Sequence, residues 1–152
     1  MTFIDVPKRR VNAVHRILII DDEIIIRKLF TRLLTREKYK VLTASNGKKG
    51  IETVEKEKLD LVILDLKMPG IDGIEVLKRI KEINKNIRVI IITAFGTIKS
   101  ASDALNLGAD DFISKPFDIA KIRMTIKNVL KMKKLALEVE ELRSNLKNHK
   151  VK

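Results

Sequence analysis

A chain of 152 residues with 45% hydrophobic content can bury one core, and with aromatics at 4% and no Trp that core must be built from Ile, Leu and Val. The absence of Cys excludes a disulfide framework, a thiolate zinc site and a cysteine nucleophile. The net charge of +12 sits in the ends: residues 1–16 hold four basic and one acidic residue, residues 121–152 hold ten and three, and the stretch between holds 18 and 16. A near-neutral body follows; the basic ends are expected to be solvated, with binding of phosphates or of an acidic membrane surface as the alternative. There is no recognition motif or aromatic stacking platform, so direct nucleic-acid binding is not expected. No apolar run approaches the roughly 18 residues of a membrane span, and "MTFIDVPKRRVNAVHR" has no apolar signal-peptide core. No membrane insertion and a cytoplasmic location are therefore expected.

Five short apolar runs alternate with stretches of helical spacing. Ile17–Ile20 reads as the first strand, and Ile26, Leu29, Phe30, Leu33 and Leu34 line one face of the helix behind it. Val41–Ala44 follows, then a helix opened by Asn46-Gly47 with Ile51 and Val54 inward. Leu61–Leu64 is the third strand. Pro69-Gly70 then precedes a helix lined by Ile74, Leu77 and Ile80. Ile87–Ile92 leads to a helix with Ile98, Ala101 and Leu105, closed at Leu107-Gly108. Asp111–Ser114 leads to a long last helix with Ile119, Ile122, Ile126, Val129 and Leu130. Almost wholly apolar strands imply burial on both faces, and five such βα units imply an α/β fold with a doubly wound five-stranded parallel sheet.

In such a sheet ligands gather beyond the carboxyl ends of the strands. The first strand ends in Asp21-Asp22-Glu23, the third in Asp65, the fourth in Thr93-Ala94 and the fifth in Lys115-Pro116; Ser45-Asn46 after the second reads as helix capping. Two unit charges about 4 Å apart repel by roughly 4 kcal/mol at an effective dielectric near 20. Crowded carboxylates therefore take up protons or bind a cation, and a few hard oxygen ligands suit Mg²⁺. An Asp at such a rim can act as a nucleophile toward phosphorus, giving an acyl phosphate. Mg²⁺, Lys115 and the Ala94 N–H could neutralise the three phosphoryl oxygens, with the Thr93 hydroxyl as a further donor. An isolated Asp65 would instead read as a solvated helix cap, and the acid pair as charge favoured by a helix N-terminus; the agreement of four strand ends argues for a site.

The stretches "ILIIDDE", "DLVILDLKMPGIDGIEVLKRI", "VIIITAFG" and "LGADDFISKPFD" resemble, in order and spacing, the motifs of response-regulator receiver domains, the CheY-like family, over about residues 16–130. The resemblance implies a flavodoxin-like (βα)5 fold with an extended C-terminal helix. It implies Asp65 as phosphoacceptor, with Asp22 and Asp65 holding Mg²⁺ directly, Asp21 mainly through water and Lys67 through its backbone carbonyl. Thr93 and Phe112 become the switch pair, Lys115 a phosphoryl contact, and Lys115-Pro116 a cis peptide. The implied function is that of a two-component response regulator, not a classical enzyme. A sensor histidine kinase or histidine phosphotransfer protein donates the phosphoryl group, and the face of helix four, strand five and helix five changes for a downstream protein target. The most similar subgroups are the single-domain regulators of sporulation phosphorelays and the NtrC-class receivers. A receiver portion of an NtrC-class transcription regulator and a non-phosphorylated scaffold are the alternatives. An aspartate-nucleophile phosphatase of the haloacid dehalogenase type needs an acid two residues after the nucleophile, where this chain has Lys67.

The domain organisation expected is a basic N-terminal extension over 1–15, a receiver over 16–131 and a helical extension over 132–152. In the extension Met132, Leu135, Val139, Leu142 and Leu146 recur at alternating three- and four-residue spacing, an a/d seam with Glu138 at g and Arg143 at the next e, as a parallel homodimer requires. The seam spans about two heptads, Leu137 lies off it, and a fraying end of helix five is the competing reading. Ile24, Ile25 and Pro116-Phe117 are candidates for docking a four-helix phosphodonor, with core packing as the alternative. His15 and His149 are expected at the surface.

Overall fold

The computed structural model describes residues 14–94 and 98–150, with the side chains of 98–101, 149 and 150 left aside; His149 and the apolar pair Ile98 and Ala101 thus lie outside the described side chains. The elements are β1 (Arg16–Ile20), α1 (Ile24–Arg36), β2 (Lys40–Ala44), α2 (Gly47–Lys56), β3 (Leu61–Asp65), α3 (Gly73–Ile83), β4 (Arg88–Thr93), α4 (Ile98–Asn106), β5 (Asp111–Ser114) and α5 (Ile119–Lys150). The strands form one parallel sheet in the order β2-β1-β3-β4-β5, the doubly wound fold the sequence implied.

Alternating side chains of each central strand enter two separate apolar layers. Leu18, Ile20, Val62, Leu64, Val89 and Ile91 meet α2, α3 and Ala104 of α4 on one face. Ile17, Ile19, Leu61, Ile63, Ile90 and Ile92 meet α1 and α5 on the other. β1, β3 and β4 are consequently apolar at nearly every position, because neither face meets water. β2 at the edge differs: Lys40 and Thr43 are exposed and Val41 and Leu42 half-buried.

Local chemistry sets the helix starts. The Asn46 side chain accepts from the Lys49 N–H at 2.8 Å, and Asp72 accepts from the Ile74 N–H at 3.1 Å, each satisfying an otherwise unpaired first-turn donor. Gly108, at φ +107, terminates α4 in the left-handed conformation.

Two expected core positions are corrected. Leu105 and Ile119 are exposed. On α4 it is Ala104 that faces the sheet; a methyl lets the helix backbone approach the strands, and the larger neighbour is turned outward. Ile119 lies in the first turn of α5, where the helix has not yet met the sheet; the buried line begins at Ile122. On α3 the inward face includes Val76 as well as Leu77 and Ile80, with Ile74 only half-buried.

Candidate functional site

β1 and β3 are neighbours, with Ile20 paired to Leu64, so the residues that follow, Asp21 and Asp65, emerge side by side at the carboxyl edge. Carboxylate oxygens of Asp21, Asp22 and Asp65 all lie within 4.8 Å of one another. Asp21 and Asp65 are buried while Asp22 is exposed. The Asp21 N–H donates to the Ala44 carbonyl at 3.2 Å, and its Oδ1 accepts from the Glu23 N–H at 2.8 Å. Asp65 Oδ1 accepts from the Lys67 N–H at 3.0 Å, which turns the chain sharply after β3. Asp21 Oδ2 is buried without a hydrogen-bond partner.

Thr93 and Lys115 arrive from the other side. Thr93 is buried at the end of β4, one residue beyond the partner of Asp65, and its hydroxyl donates to the Ala94 carbonyl at 3.3 Å. The Lys115 N–H donates to the Thr93 carbonyl at 2.9 Å, tying the end of β5 to β4. Lys115 Nζ then stands 3.9 Å from Asp65 Oδ2, an ion pair too long for a direct hydrogen bond. The Lys115-Pro116 peptide is cis. Phe112 on β5 has an exposed ring, and Lys67 is exposed.

The electrostatics follow from burial and crowding. Burial pushes the Asp21 carboxyl up to about 6, against the Glu23 N–H and Lys115 and with help from Asp65 and Asp22. Asp65 is raised too, by burial first, opposed by the Lys67 N–H and Lys115 and assisted by the charges of Asp22 and Glu23. Among the described residues Lys115 is the cation that opposes both Asp21 and Asp65, and its single charge does not neutralise three acids. An unpartnered buried carboxylate oxygen within this oxygen-only donor set fits a hard divalent ion such as Mg²⁺.

Ile24 and Ile25, beside the site, are 55% and 76% exposed, which removes the core-packing reading for them. Phe117 does not join them; it is half-buried and stacks edge-on against Phe30 at 5.5 Å, fixing the segment after Lys115 to α1. Pro116 is exposed. The seam residues Met132, Leu135, Val139, Leu142 and Leu146, and Leu137 off the seam, are all exposed on a continuous α5, so the helix does not end with the body.

Two features escaped the sequence. Arg27 Nη1 donates to the Asp21 carbonyl at 2.8 Å, a contact that no spacing rule for acids announces. At the opposite edge, Asp60 accepts from the Arg16 N–H at 2.8 Å and from Lys133 Nζ at 3.1 Å, with His15 Nδ1 3.8 Å away. His15 is therefore at the surface as expected, but in company.

Residues 17–127 match the response regulator receiver domain family. The chain is similar to sporulation initiation phosphotransferase F of Bacillus subtilis, 47% identical over 119 residues, which cover 78% of this chain and 96% of the relative. It is 40% identical to the transcriptional regulatory protein ZraR of Klebsiella oxytoca over 75% of this chain but only 26% of that one. Among solved structures, NtrX from Brucella abortus superposes with a TM-score of 0.82 at 32% identity, covering 85% of this chain and 29% of NtrX. No helix among the described residues is long and apolar enough to cross a membrane. With the family's motifs at the carboxyl edge of the family's sheet, this chain belongs to the response regulator receiver domains and to two-component signalling.

Proposed function

We propose that this chain accepts a phosphoryl group on Asp65 from a histidine kinase or histidine phosphotransfer protein, in a Mg²⁺-dependent reaction. The observation that carries this reading is the buried, unpartnered Asp21 Oδ2 inside a cluster whose carboxylate oxygens approach within 4.8 Å, with Lys115 opposite. Asp22, Asp65 and the Lys67 carbonyl would hold the ion directly and Asp21 mainly through water. When bound, Mg²⁺ supplies charge neutralisation for the phosphoryl oxygens.

An Asp65 carboxylate oxygen attacks phosphorus while the P–N bond to the donor imidazole breaks. The imidazole nitrogen keeps the electron pair and takes a proton from water, and the product is an acyl phosphate. Lys115 offers its ammonium to one phosphoryl oxygen, and the Thr93 hydroxyl and Ala94 N–H turn to others, since transfer of this kind depends on positioning and charge more than on covalent chemistry by the protein. Thr93 moving inward leaves space for Phe112 to leave its exposed position, altering the surface of α4, β5 and α5 that a downstream protein reads. The exposed Ile24 and Ile25 beside the acids supply an apolar contact for the donor's helices. In this reading residues 16–131 are the receiver unit, with 1–15 and 132–152 as extensions, and the chain acts in the cytoplasm.

Mass spectrometry after incubation with acetyl phosphate tests the reaction. A Mg²⁺-dependent gain of one phosphate by the wild type and not by Asp65→Asn is the expected result. Equal labelling of both, or none in the wild type even with a histidine phosphodonor, would defeat the reading.

A second observation favours a homodimer. Five apolar side chains between 43% and 64% exposed form the a/d line of α5, an unfavourable surface for a lone helix in water. Sedimentation of the wild type should show a concentration-dependent dimer that Leu135→Glu with Leu142→Glu abolishes, while both forms still accept phosphate. A wild type that stays monomeric at high concentration, phosphorylated or not, would remove the dimer.

A further inference from the structure

From the hydrogen bond at the back of the acidic cluster we infer that Arg27 is a positioning residue for the cation site, holding the Asp21–Asp22 peptide so that both carboxylates are preset for the ion. The inference rests on the phosphoacceptor reading above and concerns a residue that does not touch the ion or the phosphoryl group.

Asp21 is fixed at three of its polar atoms. Its N–H donates to the Ala44 carbonyl, its Oδ1 accepts from the Glu23 N–H, and its carbonyl accepts from Arg27 Nη1 at 2.8 Å. The first two contacts are made by backbone, which the sheet and the start of α1 supply whatever the side chains. The third alone depends on a side chain of the partner residue.

That carbonyl belongs to the peptide joining Asp21 to Asp22, and rotating this peptide swings the exposed Asp22 carboxylate relative to the buried one. Without the ion, mutual repulsion of three carboxylates within 4.8 Å drives such a rotation. A hydrogen bond from an ionised donor is about twice as strong as a neutral one and opposes it. The guanidinium is also tethered at its base, because the Arg27 N–H makes the first helical hydrogen bond of α1 to the Glu23 carbonyl at 3.1 Å. The chain thus closes a short loop: Asp21 side chain to Glu23, Glu23 carbonyl to the Arg27 backbone, Arg27 side chain to the Asp21 carbonyl. Two acids that repel are held in a frame built from one turn of helix.

A bland role for Arg27, as a long stem covering the gap between α1 and the edge strand β2, predicts loss of stability alone. Holding the frame predicts a loss in ion affinity that excess ion restores, because groups supporting metal ligands typically change affinity by about 10- to 100-fold.

Isothermal titration of Mg²⁺ into the whole protein, with Arg27→Ala, Arg27→Lys and the exposed control Arg32→Ala, separates the two, together with the rate of Asp65 phosphorylation by acetyl phosphate across Mg²⁺ concentrations. We expect the Mg²⁺ dissociation constant to rise about 10-fold in Arg27→Ala and less in Arg27→Lys, which keeps a stem and a charge but lacks the fork. Arg32→Ala should match the wild type. At saturating Mg²⁺ the phosphorylation rates of the folded variants should converge. Wild-type affinity in both Arg27 variants, whatever their melting temperature, would overturn the inference while leaving the phosphoacceptor reading intact. Absence of Mg²⁺ binding by the wild type would overturn both. Should Arg27→Ala not fold, Arg27→Lys alone decides by the same criterion.

Discussion

Lys133, on the last turn of α5 that touches the body, reaches across 73 residues of sequence to place its ammonium 3.1 Å from Asp60, at the edge of the sheet opposite the acidic cluster. Burial alone would raise the Asp60 carboxyl, but His15, the Arg16 N–H and Lys133 outweigh it and hold it well below the ordinary Asp range. One side chain thereby joins the start of β1, the start of β3 and the point where α5 leaves the globular part.

Asp60→Asn is expected to lower stability at neutral pH by about 1–2 kcal/mol, the scale of hydrogen bonds to a charged group. A carboxyl with a depressed native pKa contributes stability above its unfolded value of 3.8 and loses it as pH falls below that value. Denaturant melts should therefore show the wild type losing its advantage over Asp60→Asn below about pH 4. Hydrogen exchange should show faster exchange in α5 beyond Lys133 in the variant; unchanged exchange there would mean the contact does not anchor the helix.

Asp21 has the opposite sign. Its native carboxyl, raised to about 6, holds a proton that the unfolded chain releases, so the ion-free fold gains stability as pH falls from above 6 toward 3.8. Calorimetry in chelator should give a higher Tm at pH 5.5 than at pH 7.5. Mg²⁺ competes with that proton, so its stabilising increment should be larger at pH 7.5. Equal increments at the two pH values would argue against Asp21 as part of the cation site.

Gly73 permits the approach that shapes the loop after Asp65. A Cβ there would stand 2.6 Å from the Leu66 Cα and 2.7 Å from its carbonyl oxygen, backbone atoms that cannot rotate away. Gly73→Ala should destabilise the fold by about 1–3 kcal/mol, as overpacking does, and weaken Mg²⁺ binding because the Lys67 segment shifts. Calorimetry and Mg²⁺ titration check both; a loss of stability with unchanged affinity would detach the loop from the ion.

Thr93→Ala should leave phosphate acceptance within about tenfold, since one donor among several is removed. The ring resonances of Phe112 should then no longer respond to phosphorylation, whereas in the wild type they shift. A normal shift in the variant would show that Thr93 does not drive the ring.

The sheet was legible because burial on both faces leaves an unmistakable trace: Ile17–Ile20, Leu61–Leu64 and Ile87–Ile92 carry hardly a polar atom. The acidic edge was legible because four strand ends agree: any one of these acids alone also reads as a helix cap or as charge at a helix N-terminus. Leu105 and Ile119 misled because helical spacing tolerates neighbouring stripes, and only the packed sheet selects Ala104 over Leu105. Arg27 and Lys133 were invisible in the sequence. A long cation on a helix usually reaches water, and its target here is set by which strand ends lie beneath it.

The site's two halves are cut from different grades of material. Asp21 follows β1 and Asp65 ends β3, strands flanked by partners on both sides and covered above and below, whose amides should exchange only when the whole molecule unfolds. Phe112 belongs to β5, four residues at the rim of the sheet with one neighbouring strand, and Lys115 follows directly after it. On the proposed reading the acceptor stands among strands with two neighbours and the responding ring on a strand with one, so the signal would be registered by a local rearrangement of the rim that leaves the main reserve of folding free energy untouched.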